Sequence, residues 1–114
     1  MNNQALVRVI VASTHELVRM GLGIFLNSHP DMLLIAEARD GDEAVRFARE
    51  LDAQVLLIDV NLPPLNGVTV IRRIKQVKPE LHIIVLTMEM DTQQQQAALD
   101  AGAAHWFNID ASLD

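Results

Sequence analysis

Val55-Leu56-Leu57-Ile58-Asp59-Val60-Asn61-Leu62-Pro63-Pro64-Leu65-Asn66-Gly67 is the stretch that decides the fold. It begins as a continuous apolar run, the pattern of a strand covered on both faces. The run ends on an acid, and the two prolines and the glycine that follow can neither continue a strand nor easily start a helix. Asp59 is therefore expected at a strand tip. In an open α/β sheet ligands bind at the carboxyl ends of the strands, which makes Asp59 the leading candidate for a functional residue.

Outward from this segment the same grammar repeats, with short apolar runs alternating with stretches of helical periodicity, as in βα units around a parallel sheet. Strands are expected over residues 6–12, 32–36, 55–58 and 83–86. A fifth, over 103–109, carries Trp106 and Phe107. The first helix, about 15–28, puts Val18, Leu22 and Phe25 on one stripe and stops near His29-Pro30. The second starts at Asp40-Gly41-Asp42-Glu43, where Asp40 as N-cap and Glu43 three places on resemble a capping box, and turns Ala44, Ala48 and Leu51 to the sheet. The third runs from 67 to about 77 with Val70, Ile71 and Ile74 inward, ending before Pro79. The fourth, about 91–101, stops at Gly102. Gln93-Gln94-Gln95-Gln96 reads as a solvated helix face backed by Ala97, Ala98 and Leu99. Neither an internal repeat nor an interdomain linker is visible.

The 114 residues, half of them apolar, suit one domain with a real core. Nine Lys and Arg against fifteen Asp and Glu give a formal charge of −6, which argues against this segment gripping a nucleic-acid backbone by itself. The absence of Cys removes disulfides, thiolate metal sites and a Cys nucleophile. Met1-Asn2-Asn3-Gln4 resembles neither a signal peptide nor an anchor, and the apolar runs are strand-sized rather than membrane-sized. A soluble cytoplasmic domain is expected.

Taken together, Val9-Ile10-Val11 followed by His15-Glu16-Leu17-Val18-Arg19-Met20-Gly21-Leu22, then Pro30-Asp31, Ile35-Ala36-Glu37-Ala38-Arg39-Asp40-Gly41, Asp59 through Gly67, Ile84-Val85-Leu86-Thr87 and Ala101-Gly102-Ala103, resemble a response-regulator receiver domain of the NarL/FixJ (LuxR) type over nearly the whole chain. The resemblance implies a flavodoxin-like, doubly wound sheet of five parallel strands in the order 2-1-3-4-5. It implies that Asp59 is the phospho-acceptor position for a histidine kinase, that Asn61 lends a backbone carbonyl to Mg²⁺, that Thr87 senses the acyl phosphate, and that Trp106 is the switch aromatic. It also implies an output domain for any DNA contact.

Two departures bear on that chemistry. Where the family carries an adjacent acidic pair, this chain has Ser13-Thr14, and neutral hydroxyls are poor Mg²⁺ ligands. Where the family has Lys at the end of the fifth strand, this chain has Ile109, which cannot pair with a phosphoryl group. The expectation is an atypical receiver with impaired Mg²⁺-dependent phosphorylation, no metal or cofactor, no enzymatic activity of its own, and a signalling and dimerisation role. Two alternatives stand beside it: a pocket of Ser13, Thr14, Asp59, Thr87 and Ile109 that binds a small molecule, or an ordinary phospho-accepting receiver. Met88 and Glu89 would line the mouth of that pocket. His15, His29, His82 and His105 lack metal-ligand spacing and read as structural. The chain reaches Leu113-Asp114 where the family has a fifth helix, so residues 1–114 are expected to form a receiver truncated before that helix, either a fragment of a longer regulator or a shortened protein that covers the sheet around its first and fifth strands by dimerising.

Overall fold

A computed structural model describes residues 6–63, 65–87 and 92–108. In chain order the described elements are β1 (Val7–Ala12), α1 (Glu16–Asn27), β2 (Met32–Ala38), α2 (Gly41–Glu50), β3 (Val55–Asp59), β4 (Asn61–Leu62), β5 (Leu65–Asn66), α3 (Gly67–Val77), β6 (His82–Thr87), α4 (Thr92–Ala101) and β7 (His105–Asn108). Five of these strands make one parallel sheet ordered β2-β1-β3-β6-β7. With the two-residue strands β4 and β5 set aside, this is the expected order 2-1-3-4-5.

Strand alternation divides the core between the two faces of the sheet. Ile10, Ala12, Leu56, Ile58, Ile83 and Val85 point to one side, where Ala44 and Ala48 of α2, Val70, Ile71 and Ile74 of α3 and Ala98 of α4 close over them. Val9 and Val11 point to the other side with Val7, Met32, Leu34, Val55 and Leu57, against Leu22 and Leu26 of α1. The reading of α3 holds residue for residue, because its apolar positions recur at helical spacing and Asn66 caps its start, its Oδ1 accepting from Thr69 N at 2.8 Å.

Three expectations are corrected. Phe25 is not buried beneath α1; it is 55% exposed at the edge of an apolar cavity against the sheet, and Leu26 beside it is buried instead. The segment after Asp59 does form strand, a hairpin in which Asn61 pairs with Asn66 and Leu62 with Leu65. The capping box is half present: Asp40 Oδ1 accepts from Glu43 N at 2.8 Å, but the Glu43 carboxylate accepts from Arg39 N at 2.9 Å rather than from the N-cap amide. Hydrogen bonding from the Arg39 side chain and then its backbone N–H holds the Glu43 carboxyl below the usual range. At Gly102 φ is +121°, the helix stop that its position implied. Among the described residues no helix is long and apolar enough to cross a membrane. Residues 109–114, and with them the expected loss of a fifth helix, lie outside the described residues.

Candidate functional site

Register brings the site together. Ala12 pairs with Ile58, so the residues that leave the adjacent tips of β1 and β3 are Ser13 and Asp59. Ser13 is fully buried, and its Oγ donates to Asp59 Oδ2 at 3.2 Å. The same oxygen accepts from His15 N at 3.1 Å. The Ser13 backbone is also engaged on both sides: its N–H donates to Ala38 O at 3.0 Å, and its carbonyl accepts from Arg19 Nη1 at 2.7 Å. Arg19 reaches this carbonyl from α1 with its side chain only 12% exposed, while its Nε lies 3.4 Å from Glu37 Oε1 at the end of β2.

Asp59 is half-buried at the end of β3 and pairs in register with Leu86, which puts Thr87 one position further along the neighbouring strand. Thr87 is buried, at 5% exposure. The loop beyond Asp59 is fixed from both ends, since Val60 N donates to Leu86 O at 3.3 Å and Gly67 N to Val60 O at 3.0 Å. A Cβ at Gly67 would collide with that same carbonyl, so the residue that closes the loop and opens α3 must be glycine.

Of the other expected site residues, Thr14 is exposed beside Ser13. Asn61 opens β4. Trp106 is half-buried on β7, in register with Val85 and packed against the core on the α2–α4 side. Ile109, Met88 and Glu89 lie outside the described residues. Arg19 is the member that sequence reasoning missed. Its signal was present: it is the sole cation in an otherwise largely apolar helix, and such a residue needs a partner when half-buried.

A metal ion such as Mg²⁺ would require several hard, charged oxygens around one point. Asp59 supplies one carboxylate, whereas Ser13 offers a neutral hydroxyl whose hydrogen is committed to that carboxylate and which already accepts from an amide. Among the described residues no group of three His, Asp or Glu side chains is placed to hold a metal. Among the described residues, then, the donors beside Asp59 are neutral, which is a poor match to such an ion. A cavity of about 410 Å³ lies elsewhere, on the α1 side of the sheet, walled entirely by apolar residues including Leu22, Phe25, Leu57, Leu86 and Phe107. It takes in none of Ser13, Asp59 or Thr87.

Comparison with known proteins bears on the same residues. The family model described as "Response regulator receiver domain" matches residues 9–108. The chain is 39% identical over 102 residues to the transcriptional regulatory protein LiaR of Bacillus subtilis, covering 90% of this chain and 48% of LiaR. Against the response regulator protein VraR of Staphylococcus aureus it is 30% identical over 96 residues, covering 84% and 46%. Among solved structures, the isolated REC domain of RcsB from Salmonella enterica serovar Typhimurium, in the presence of phosphomimetic BeF3−, superposes with a TM-score of 0.84 at 30% identity, over 91% of this chain and 78% of that one. The chain spans about half the length of the curated relatives it matches.

Proposed function

Because this chain belongs to the response regulator receiver domain family, we propose that it is the signal-receiving part of a two-component transcription regulator whose Mg²⁺-dependent phosphorylation at Asp59 is impaired. The observation that carries this reading is the 3.2 Å hydrogen bond from the buried Ser13 hydroxyl to Asp59. Phosphoryl transfer relies on positioning and on neutralising charge at the transferred group. A neutral donor in the place of an acidic pair provides neither a metal nor a compensating cation. Ile109, standing for the family's Lys, removes a second positive partner.

In this reading Asp59 remains the acceptor position, Ser13, Thr14, Asn61, Thr87 and Ile109 form the pocket around it, and Trp106 is the switch aromatic. A histidine kinase is the upstream partner, a second copy of the chain the lateral one, and DNA is reached through an output domain outside these residues. LiaR is named a transcriptional regulatory protein and VraR a response regulator protein, which favours a regulatory role over a separate enzymatic one, and this reading places the domain in the cytoplasm. Incubation with acetyl phosphate and Mg²⁺ followed by intact-mass measurement tests the proposal. The expected result is unchanged mass; a stable phosphoryl adduct mapped to Asp59 would overturn it.

One observation favours a second reading, an ordinary phospho-accepting receiver. The acidic strand tip is intact, and the similar RcsB domain was solved in the presence of a phosphomimetic. The same mass measurement separates the two.

A further inference from the structure

Between Asp59 and Glu80 the chain carries no acidic residue, yet four of its nine cations, Arg72, Arg73, Lys75 and Lys78, fall there. All four lie on α3 or at its C-terminal cap, in a domain whose formal charge is −6. Arg72 and Arg73 are exposed, and Lys75 and Lys78 are half-buried. The neighbouring helix shows how a solvated face is ordinarily balanced. At α2, Glu43 Oε2 lies 3.1 Å from Arg39 Nη2 and 4.0 Å from Arg46 Nη2, and Glu50 Oε2 lies 3.9 Å from Arg49 Nη2. On α3 every position three or four residues from either arginine is Val, Thr, Lys or Gln, and among the described residues no ion pair reaches Arg72 or Arg73.

The fold itself accounts for half of this charge. Lys75 Nζ donates to Pro79 O at 2.9 Å and to Leu81 O at 2.7 Å, and Lys78 Nζ donates to Leu51 O at 2.8 Å. Both cations also complement the negative end of the helix dipole. Carbonyl oxygens hold an ammonium in place without cancelling its charge. Arg72 and Arg73, in the middle of the helix and in water, serve no such end.

We propose that the outer face of α3, centred on Arg72 and Arg73 and bordered by Lys75 and Lys78, docks a carboxylate-rich segment of a partner protein. A guanidinium presents its donors in a fork that matches a carboxylate. From Arg72 to Lys78 the helix rises about 9 Å at 1.5 Å per residue, room for roughly two or three carboxylates of a short segment. The two lysines are already held by carbonyls, so little freedom is lost when an anion arrives. Alongside α3, α4 shows Thr92, Gln93 and Gln96 to solvent, neutral groups that do not repel such a segment. Its one acid, Asp100, accepts from Gln96 Nε2 at 2.9 Å within the same helix.

The distribution of charge favours an acidic protein over other anions. Duplex DNA carries a charge about every 1.7 Å of its axis and extends past this stripe, so the acids of the rest of the domain would repel it, whereas a short segment confines its charge to α3. Val77 is the one large apolar side chain exposed on α3, too little to anchor the face to a lipid surface. Asp59 precedes α3 and the stripe occupies the helix's C-terminal half, so the proposal does not depend on whether Asp59 is phosphorylated.

Fluorescence anisotropy of a labelled oligoglutamate peptide, titrated with the full chain at low ionic strength, tests it. Binding is expected, and it should weaken as salt rises. R72Q/R73Q should weaken it by at least about tenfold. R46Q/R49Q removes the same charge from α2, where acids already balance it, and should change it by about twofold or less. R72K/R73K should retain most of the binding, and all three variants should keep the wild-type circular-dichroism melting curve, since the replaced side chains are exposed. Absence of binding overturns the proposal, as does equal weakening by R72Q/R73Q and R46Q/R49Q, which would reduce the effect to net charge. A labelled DNA duplex that binds as tightly as the peptide and is released by R72Q/R73Q would assign the face to nucleic acid, and self-association in sedimentation that R72Q/R73Q abolishes would assign it to a second copy; either result overturns the acidic partner.

Discussion

Replacing Ser13 with Asp should convert a quiet site into a strained one that Mg²⁺ relieves. In the wild type the Ser13 Oγ lies 3.2 Å from Asp59 Oδ2. The longer carboxylate of S13D would stand about 4 Å from that of Asp59, and at an effective dielectric near 20 two such charges repel by about 4 kcal/mol. Proton uptake sets a similar ceiling: holding one Asp protonated at pH 7 against an ordinary pKa near 3.9 costs about 3 units, or roughly 4 kcal/mol. Because Asp59 is only half-buried, solvent screening lowers both figures, and a loss of about 2–3 kcal/mol is expected, a large share of the ~5–15 kcal/mol of an ordinary domain. S13N has nearly the same size without the charge and separates packing from electrostatics.

The assay is urea unfolding at pH 7 with and without Mg²⁺. S13D should be the less stable variant without metal and should recover about 2.7 kcal/mol when Mg²⁺ is present at about 100 times its dissociation constant. Wild type and S13N should not respond. The reasoning fails if wild type gains as much from Mg²⁺ as S13D does, because the existing donors would then suffice. It fails equally if S13N is as destabilised as S13D, since charge would then be irrelevant.

Three other outcomes are expected. Glu43 is held below its usual pKa by hydrogen bonds from Arg39, so its contribution is present above the unfolded value near 4.3 and is lost as pH falls through the lower folded value; E43Q should flatten stability against pH in that acidic window and leave the rest of the curve in place. G67A should destabilise by about 1–3 kcal/mol because its Cβ meets the Val60 carbonyl, whereas G21A, with open space around it, should stabilise the dilute monomer by about 1 kcal/mol in thermal unfolding. D59N keeps an oxygen to accept from Ser13 and should melt close to wild type, while D59A leaves the buried hydroxyl without that acceptor and should cost about 1–3 kcal/mol; equal melting of the two would remove the structural role given to the carboxylate.

How much of this can be read from the sequence depends on how one-sided each signal is. α3 is legible to the residue because only one of its faces is apolar and its start is capped. In α1 apolar residues nearly encircle the helix, so periodicity finds the element but cannot choose its inner face, and Phe25 is misplaced for that reason. The β4–β5 hairpin is invisible because two-residue strands have no period and prolines argue against strand. Asp59 is legible because a charged side chain cannot sit inside a doubly covered strand, so an acid that ends an apolar run marks the strand's tip. Its bond to Ser13 is set by the pairing of β1 with β3, a contact 46 residues apart that no local pattern encodes. The sole cation of α1 marks Arg19 as needing a partner, but which partners it finds escapes for the same reason, since they lie on a loop and on the next strand.

The manner in which Ser13 is satisfied matters more than the loss of an acid. A metal ligand must turn lone pairs toward the ion, whereas here the Ser13 hydrogen points at Asp59 and the oxygen accepts from the His15 amide. Its backbone is pinned by Ala38 on one side and by Arg19 on the other. Ser13 thus gives Asp59 a hydrogen bond, and bonds to charged groups contribute about 1.5–3 kcal/mol. The carboxylate becomes a joint between β1 and β3 in a network that runs through Arg19 to α1 and through Glu37 to β2. Such a joint accounts for an aspartate at this strand tip without any phosphoryl transfer, so the presence of Asp59 alone does not identify a working acceptor. The donors facing it decide that question.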